Sequence, residues 1–439
     1  MSGIAEVLLD LGYQVSGSDL NSSPVTENLA RKGASIHLGH EAQNVENATL
    51  IVYSSAINHL NPEVMRAKEL NIPMIRRAEM LAELMRLKFG IAIAGSHGKT
   101  TTTSLIATIF QEAKLDATHI IGGIVNNLGG NARKGDSQYL IAEADESDGS
   151  FLYLNPIMAA LTNIDNDHLD HYGTNDKIVD AFVEFVNKIP FYGRVALNAN
   201  DPASVSIKGR VKRPMVWYGI DLNDNDADYI ARNTSFSAAG TTFDLYHQGK
   251  KVLPIKTHLI GQHNIANTLA AISISHESGL SWEDIQKGLL GFNGVGRRLE
   301  KVWEKNSFIV FDDYGHHPTE IRATIAALKK VDERPLYVVF EPHRYSRTQN
   351  FWQEFQDSFE GVNKLYMSPI YPASEKPIPE ITTERMVEEM KASGKDVSML
   401  ASLDEMKHLI QNHKEESAIF LTLGAGAISK KIREVVKSL

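Results

Sequence analysis

The stretch IAIAGSHGKTTTTSLIATIF, Ile91 to Phe110, restricts the fold of this chain more than any other. Ile91–Ala94 is an apolar run with strand character, a Gly-rich turn follows at once, and Thr101 onward reads as a helix. That order is the setting of a phosphate loop, in which backbone amides at the helix start, reinforced by the helix dipole, form an anion site. The spacing is short. The usual loop runs Gly-x-x-x-x-Gly-Lys-Ser/Thr, whereas only Ser96 and His97 separate Gly95 from Gly98 here. If the loop holds ATP, residues Gly95, Ser96, His97, Gly98 and Thr101 line it, Lys99 reaches the terminal phosphates and Thr100 binds Mg²⁺. The competing interpretation is a glycine turn that feeds a Thr-rich helix.

A phosphate loop of this kind sits in an α/β sheet, and the rest of the chain supplies one. ATLIVYSSA, FGIAIAG, QYLIAEAD, PIMAALTNI, GRVALNAN, RPLYVVFEP and SAIFLTLGAG each read as a buried strand ending in polar or Gly residues, with helical stretches between several of them. In such folds ligands gather at the carboxyl ends of the strands. Residues 205–256 differ: RPMVWYGI, TTFDLYHQ and KKVLPIKTHL read as antiparallel strands. Boundaries at MRLKFG and at LLGFNGVGRRLE divide the 439 residues into units 1–87, 88–293 and 294–439. The first unit opens with a helix from Ser2 to Leu11, a turn at Gly12 and a strand ending at Asp19. A Rossmann-like unit has a strand and a Gly-rich turn ahead of that helix, so its first strand is expected to be missing and the unit N-terminally truncated. The net charge of −9 argues against a nucleic-acid partner. The absence of cysteine excludes disulfide and thiolate chemistry and suits the cytoplasm. No apolar run approaches the roughly 18 residues of a membrane span.

Several polar clusters follow strands. YLIAEADESDGSF places Glu143, Asp145, Glu146 and Asp148 after a buried run; carboxylates so crowded suit Mg²⁺, or form a solvated acidic loop. Glu143 stands out because it follows the apolar run directly. LTNIDNDHLDHYG brings Asp165, Asp167, His168, Asp170 and His171, where a histidine ligates a metal, orients a ligand, or sits in a polar loop. GQHNIANTLAA opens a helix with Asn264 and Asn267 on one face, able to cap it or to read a base edge. GVGRRLE carries Arg297 and Arg298, VFDDYGHHPTE carries Asp313 and Tyr314, and VFEPHRYSRTQ carries His343, Arg344 and Arg347. The last two arginines, three apart, would fork a carboxylate or phosphate; surface ion pairs are the alternative. The sum is a multi-domain ATP-dependent enzyme, and composition alone does not choose between a kinase and a ligase that phosphorylates a carboxylate before an amine attacks it.

GSHGKTTTT, EADESDGSF, TNIDNDHLDHYG, GQHNIANTLAA, GVGRR and DDYGHHPTE, in this order, resemble the Mur ligases of bacterial cell-wall precursor assembly, and the likeness runs the length of the chain. The short phosphate loop is that family's variant. The resemblance implies a Rossmann-like UDP-sugar domain, a central ATPase domain and a C-terminal Rossmann-like amino-acid domain. It also implies Mg²⁺-ATP-dependent formation of an acyl phosphate, attack on it by an amine, and release of ADP and phosphate. VYSSAINHLNPEV, IPMIRRAEMLAELMR and PHRYSRTQNF are similar to the member that joins L-alanine to UDP-N-acetylmuramate. By motif match Lys99 and Thr100 hold phosphates and Mg²⁺, Glu143 is a Mg²⁺ ligand and His168 serves a second Mg²⁺. Asn264 and Asn267 lie near adenine and phosphates, and Arg298 and Asp313 reach the nucleotide on domain closure. Tyr314, His343, Arg344 and Arg347 form the alanine pocket. Asp19, Ser54, Ser55 and Arg76, with His97 and Asn163, face the UDP-sugar. A monomer or weak homodimer, with neither nucleic acid nor membrane as partner, completes the expectation. A recycling ligase that adds a murein tripeptide, a folate polyglutamating ligase and a nucleotide-binding protein without turnover are the rivals; SSAINHLNPE argues against the second.

Overall fold

The computed structural model describes residues 1–54, 56–125 and 130–439. The chain divides into two compact units, one of Met1–Asn233, Phe243–Lys256 and Ala266–Asn293, the other of Thr234–Thr242, Thr257–Ile265 and Gly294–Leu439.

The first unit begins with helix Ser2–Asp10, ended by Gly12 at φ 90°, and strand Ser16–Asp19. Among the described residues that strand pairs in parallel only with Ser35–Leu38, while Ile51–Tyr53 pairs with Met74–Arg76 in a separate two-stranded sheet. Ile4 and Val7 of the opening helix join the main core of the unit. The centre of the large sheet is Phe89–Ala94, flanked in parallel by Tyr139–Glu143 and Met158–Leu161. Ile91 to Ala94 are fully buried, as a strand covered on both faces demands.

One expectation is corrected. Met215–Ile220 is not antiparallel: it lies parallel to Arg194–Asn198 and to Tyr229–Ser237, extending the main sheet. The physical reason is the helical crossover Pro202–Ser206 between Arg194–Asn198 and Met215–Ile220, which returns the chain to the starting end of the sheet. TTFDLYHQ and KKVLPIKTHL supply strands Gly240–His247 and Lys250–Thr257.

The second unit carries a six-stranded sheet in the order Glu300–Lys305, Phe308–Asp313, Ala418–Leu423, Leu336–Phe340, Lys364–Met367 and Val397–Met399. Only the first pairing is antiparallel. The strand alternation is visible in its two cores: Val338 and Phe340 pack with Ile321, Ile325 and Leu328 of helix Pro318–Val331, while Val339 faces Ile428 and Ile432 of helix Ile428–Lys437. The carboxyl ends of Phe308–Asp313, Leu336–Phe340 and Ala418–Leu423 therefore emerge side by side.

Asp312, fully buried at one of those ends, accepts from Thr422 Oγ1 at 3.0 Å, Ser429 Oγ at 2.5 Å and Arg433 Nη2 at 3.2 Å. It ties strand Ala418–Leu423 and the last helix to the sheet. Asp312→Ala strands those donors and is expected to destabilise the protein by about 3 kcal/mol; urea denaturation of the full chain measures it, with Asp312→Asn as a milder control.

Candidate functional site

The phosphate loop of the first unit is held by backbone geometry and by its neighbour strand. Helix Lys99–Glu112 starts two residues earlier than Thr101, with Gly98 at φ 82° as its N-cap. Gly95 sits at φ 128°, and a Cβ there would run into Thr162 Oγ1, so only glycine allows the approach. The residues after strand Met158–Leu161 then lace the loop. Ser96 N donates to Asn163 O at 3.1 Å, His97 N to Asn163 Oδ1 at 2.9 Å, and Thr162 Oγ1 to His97 O at 2.6 Å. His97 Nε2 lies 2.9 Å from Asp165 Oδ2. His97 and Asn163, expected to face the UDP-sugar, thus also set the shape of the loop.

Lys99 Nζ donates to Gly95 O at 2.6 Å, Ser96 O at 3.1 Å and Glu146 Oε1 at 2.8 Å. Burial alone would lower its pKa, but the charges of Glu146 and Asp145 prevail and raise it, so Lys99 is an ammonium ion. Burial pushes the Glu146 carboxyl up to about 7, against the pull of Lys99. Thr100 Oγ1 donates to Glu143 Oε2 at 3.2 Å, and Gly122 N donates to Glu143 Oε1 at 2.7 Å. His168 stands at φ 57°, unusual for a non-glycine residue, with Nε2 3.7 Å from Glu146 Oε1. Lys99 and His168 therefore meet at Glu146, while Thr100 bonds Glu143. Thr101 is buried in the first turn of the helix. Asn267 receives Thr102 Oγ1 at 3.4 Å and lies against Gly98, where a Cβ would strike its side chain. Asn264 donates to Ile260 O at 2.8 Å.

The residues expected to hold the UDP-sugar are less concentrated. Asp19 and Arg76 close strands of the two separate small sheets, and Ser54 follows Ile51–Tyr53. Ser55 lies outside the described residues.

In the second unit Arg298 Nη1 is 3.5 Å from Glu320 Oε1, and the guanidinium groups of Arg297 and Arg298 lie 4.5 and 5.1 Å from the Tyr314 ring. Asp313, buried, accepts from Leu299 N at 2.6 Å and Gly315 N at 2.8 Å; burial raises its pKa, with Arg298 opposing. The Arg347 guanidinium reaches His343 Nδ1 at 3.4 Å. Burial, with the charges of Arg347 and Arg344, pushes the His343 pKa down to about 4. Arg344 is held at φ 71°. Sequence reasoning passed over Glu341, Tyr371 and Glu375, which surround this group, and did not single out Glu146; the available signal was that each follows a strand of its sheet.

The order strand, short phosphate loop, helix is the arrangement of an anion site, and the hydroxyl of Thr100 and carboxylate of Glu143 beside it are oxygen donors of the kind Mg²⁺ takes. Family models match along the chain: the Mur ligase family catalytic domain over residues 1–89, the Mur ligase middle domain over 93–275 and the Mur ligase glutamate ligase domain over 297–426. The chain belongs to the Mur ligase family. A protein of Geotalea daltonii named UDP-N-acetylmuramate–L-alanine ligase is 48% identical over 440 residues, covering 100% of this chain and 95% of that one. One of the same name from Geobacter sp. strain M21 is 48% identical over 430 residues, covering 98% and 93%. The crystal structure of UDP-N-acetylmuramate–alanine ligase from Thermotoga maritima superposes with a TM-score of 0.84 at 26% identity, covering 100% of this chain and 96% of that one. No helix among the described residues is long and apolar enough to cross a membrane.

His119, itself buried, is like His343 pushed down to about 4, by burial first and then by the Arg133 charge. Unfolded, each titrates near 6.5. Between the two values the unfolded chain binds more protons, so stability falls as pH drops from about 6.5 toward 4, with a slope of about two protons from this pair. Denaturation midpoints across that window measure it, and His343→Asn is expected to remove about one proton from the slope.

Proposed function

We propose that this chain joins L-alanine to UDP-N-acetylmuramate in peptidoglycan precursor synthesis, at the expense of ATP. The observation that carries this reading is identity of 48% along 440 residues with a ligase of that name, combined with a phosphate loop whose Lys99 and Thr100 stand against Glu143 and Glu146.

The reaction needs two transfers. An oxygen of the muramate lactyl carboxylate attacks the terminal phosphorus of ATP, the bond to the bridging oxygen breaks, and ADP leaves. The amine of L-alanine then attacks the acyl carbon, the C–O bond to phosphate breaks, and the nitrogen gives up a proton. Amides at the start of helix Lys99–Glu112 bind the terminal phosphates, and Lys99 offsets the charge that develops on them. Thr100, Glu143 and His168 would hold Mg²⁺, which supplies further neutralisation of that charge. Asn264, Asn267, Arg298 and Asp313 are assigned to the nucleotide by motif match. His343, Arg344, Arg347 and Tyr314 receive the amino acid, the arginines taking its carboxylate as a fork. Asp19, Ser54, Ser55 and Arg76, with His97 and Asn163, are assigned to the UDP-sugar. In this reading the domains are residues 1–87, 88–293 and 294–439, and the protein works in the cytoplasm as a monomer or weak homodimer.

ADP and phosphate release from Mg²⁺-ATP tests the reading, with UDP-N-acetylmuramate and L-alanine added singly and together. Release is expected only with both present. Release that ignores L-alanine, or that requires a murein peptide in its place, overturns it. Lys99→Ala is expected to lower kcat by about 10²–10³-fold, the scale of one lost charge-stabilising donor.

A further inference from the structure

We propose that Tyr371 and Glu375, on the loop after strand Lys364–Met367, are positioning residues for a small α-amino acid, Tyr371 fixing the His343 ring and Glu375 fixing the turn that carries Arg344 and Arg347. The proposal rests on the reading above that His343, Arg344 and Arg347 form the amino-acid pocket.

Two loops that are distant in sequence are joined here by their main chains. Tyr371 N donates to Pro342 O at 2.8 Å, and Arg344 N donates to Tyr371 O at 2.8 Å. His343 lies between these two bonds and bridges to Tyr371 as an isolated parallel pair. The two rings follow the main chains: Tyr371 stacks on His343 with centroids 5.5 Å apart and planes 12° apart. The Tyr371 ring also lies against the turn after strand Ala418–Leu423. A Cβ on Gly426 would meet Tyr371 Cγ at 2.6 Å and would collide with the Glu341 carboxylate. Glu341, itself buried, accepts from Ile428 N at 3.2 Å and so holds that turn at the start of the last helix. The ring of Tyr371 thus has its place fixed from two strand ends.

Glu375 acts on the arginines from the same loop. Its carboxylate takes Ser346 Oγ at 2.6 Å and Ser346 N at 3.0 Å, and Ser346 stands between Arg344 and Arg347. Burial alone would raise the Glu375 pKa, but the bonds from Ser346 and the charge of Arg344 win and lower it, so Glu375 is a carboxylate. The backbone here is costly: Arg344 at φ 71°, Ala373 at φ 47° and Ser374 at φ 73° all occupy the left-handed region without being glycine. Such conformations persist only where the surroundings over-determine them, and the Tyr371 and Glu375 contacts are among the determinants, beside the bonds from Thr348 to Arg344 O. An arginine fork is worth most when its geometry is set before the carboxylate arrives. Neither residue is assigned a contact with substrate.

The test is steady-state ADP release by the full chain with UDP-N-acetylmuramate saturating. Tyr371→Ala is expected to raise KM for L-alanine by about tenfold while KM for ATP stays within about twofold. Tyr371→Phe keeps the stacked ring and is expected to restore the wild-type KM. Glu375→Ala is expected to raise KM for L-alanine similarly, and Glu375→Gln, which retains an acceptor for Ser346, to raise it less. Titration calorimetry of L-alanine into the same variants with Mg²⁺-ATP reads the site without turnover. An unchanged KM in Tyr371→Ala, an equal rise in both KM values, or failure of Tyr371→Phe to restore binding overturns the positioning role. A wild-type chain that neither binds nor responds to L-alanine overturns the amino-acid reading itself, and this proposal with it.

Discussion

The bonds between the phosphate loop and the residues after strand Met158–Leu161 are what the first unit's chemistry depends on. With only Ser96 and His97 between its glycines, the loop has too few residues to hold a shape by its own hydrogen bonds. Beyond the bonds from Lys99 Nζ to Gly95 O and Ser96 O, its shape comes from outside. Asn163 supplies an acceptor to two successive amides, and Thr162 bonds the carbonyl of His97. Gly95 makes room for that contact, and Gly98 turns the chain into the helix. Lys99 and Thr100 follow directly, so a shift of the loop carries both away from Glu146 and Glu143. A mutation at Asn163 or Thr162 would reach the phosphate site without contacting phosphate.

The second unit solves a related problem with buried acids. Asp312, Asp313 and Glu341 are all buried at strand ends, where an uncompensated carboxylate costs several kcal/mol. Asp313 and Glu341 are compensated by backbone amides of adjacent turns, and Asp312 by the hydroxyls of Thr422 and Ser429 and the Arg433 guanidinium. The acids therefore act as braces: Asp313 for the Leu299 turn beside Arg298, Glu341 for the turn after Ala418–Leu423.

What was legible in the sequence follows the range of the physics. Strands such as Ile91–Ala94 and Ala418–Leu423 were readable because full burial leaves an uninterrupted apolar run. The short glycine loop before helix Lys99–Glu112 was readable because Gly95 to Thr100 lie within a few residues of one another. Strand direction around Met215–Ile220 was not, since a period of two is the same for parallel and antiparallel pairing and the short crossover helix Pro202–Ser206 leaves little signal. Tyr371, Glu375 and Glu341 were invisible for another reason. Their partners are supplied by different strands of the sheet, and no local spacing encodes that pairing.

The electrostatics of the two units explain why neutral histidine recurs beside charged groups. His343 lies within reach of Arg347, and its ring is stacked on Tyr371. A second cation there would repel the guanidinium and lose hydration, and both effects favour the neutral ring. The site thereby leaves its positive charge to groups whose geometry suits a carboxylate, while the imidazole keeps a lone pair available as an acceptor. An amine nucleophile must reach the acyl carbon without its own proton. A pocket that holds the carboxylate with arginine and surrounds the nitrogen with neutral groups disfavours an ammonium more than water does, and it does not lock the proton in place as a carboxylate beside the nitrogen would. That balance needs a histidine kept neutral by position, and the stacking of Tyr371 against it supplies part of the desolvation that keeps it so.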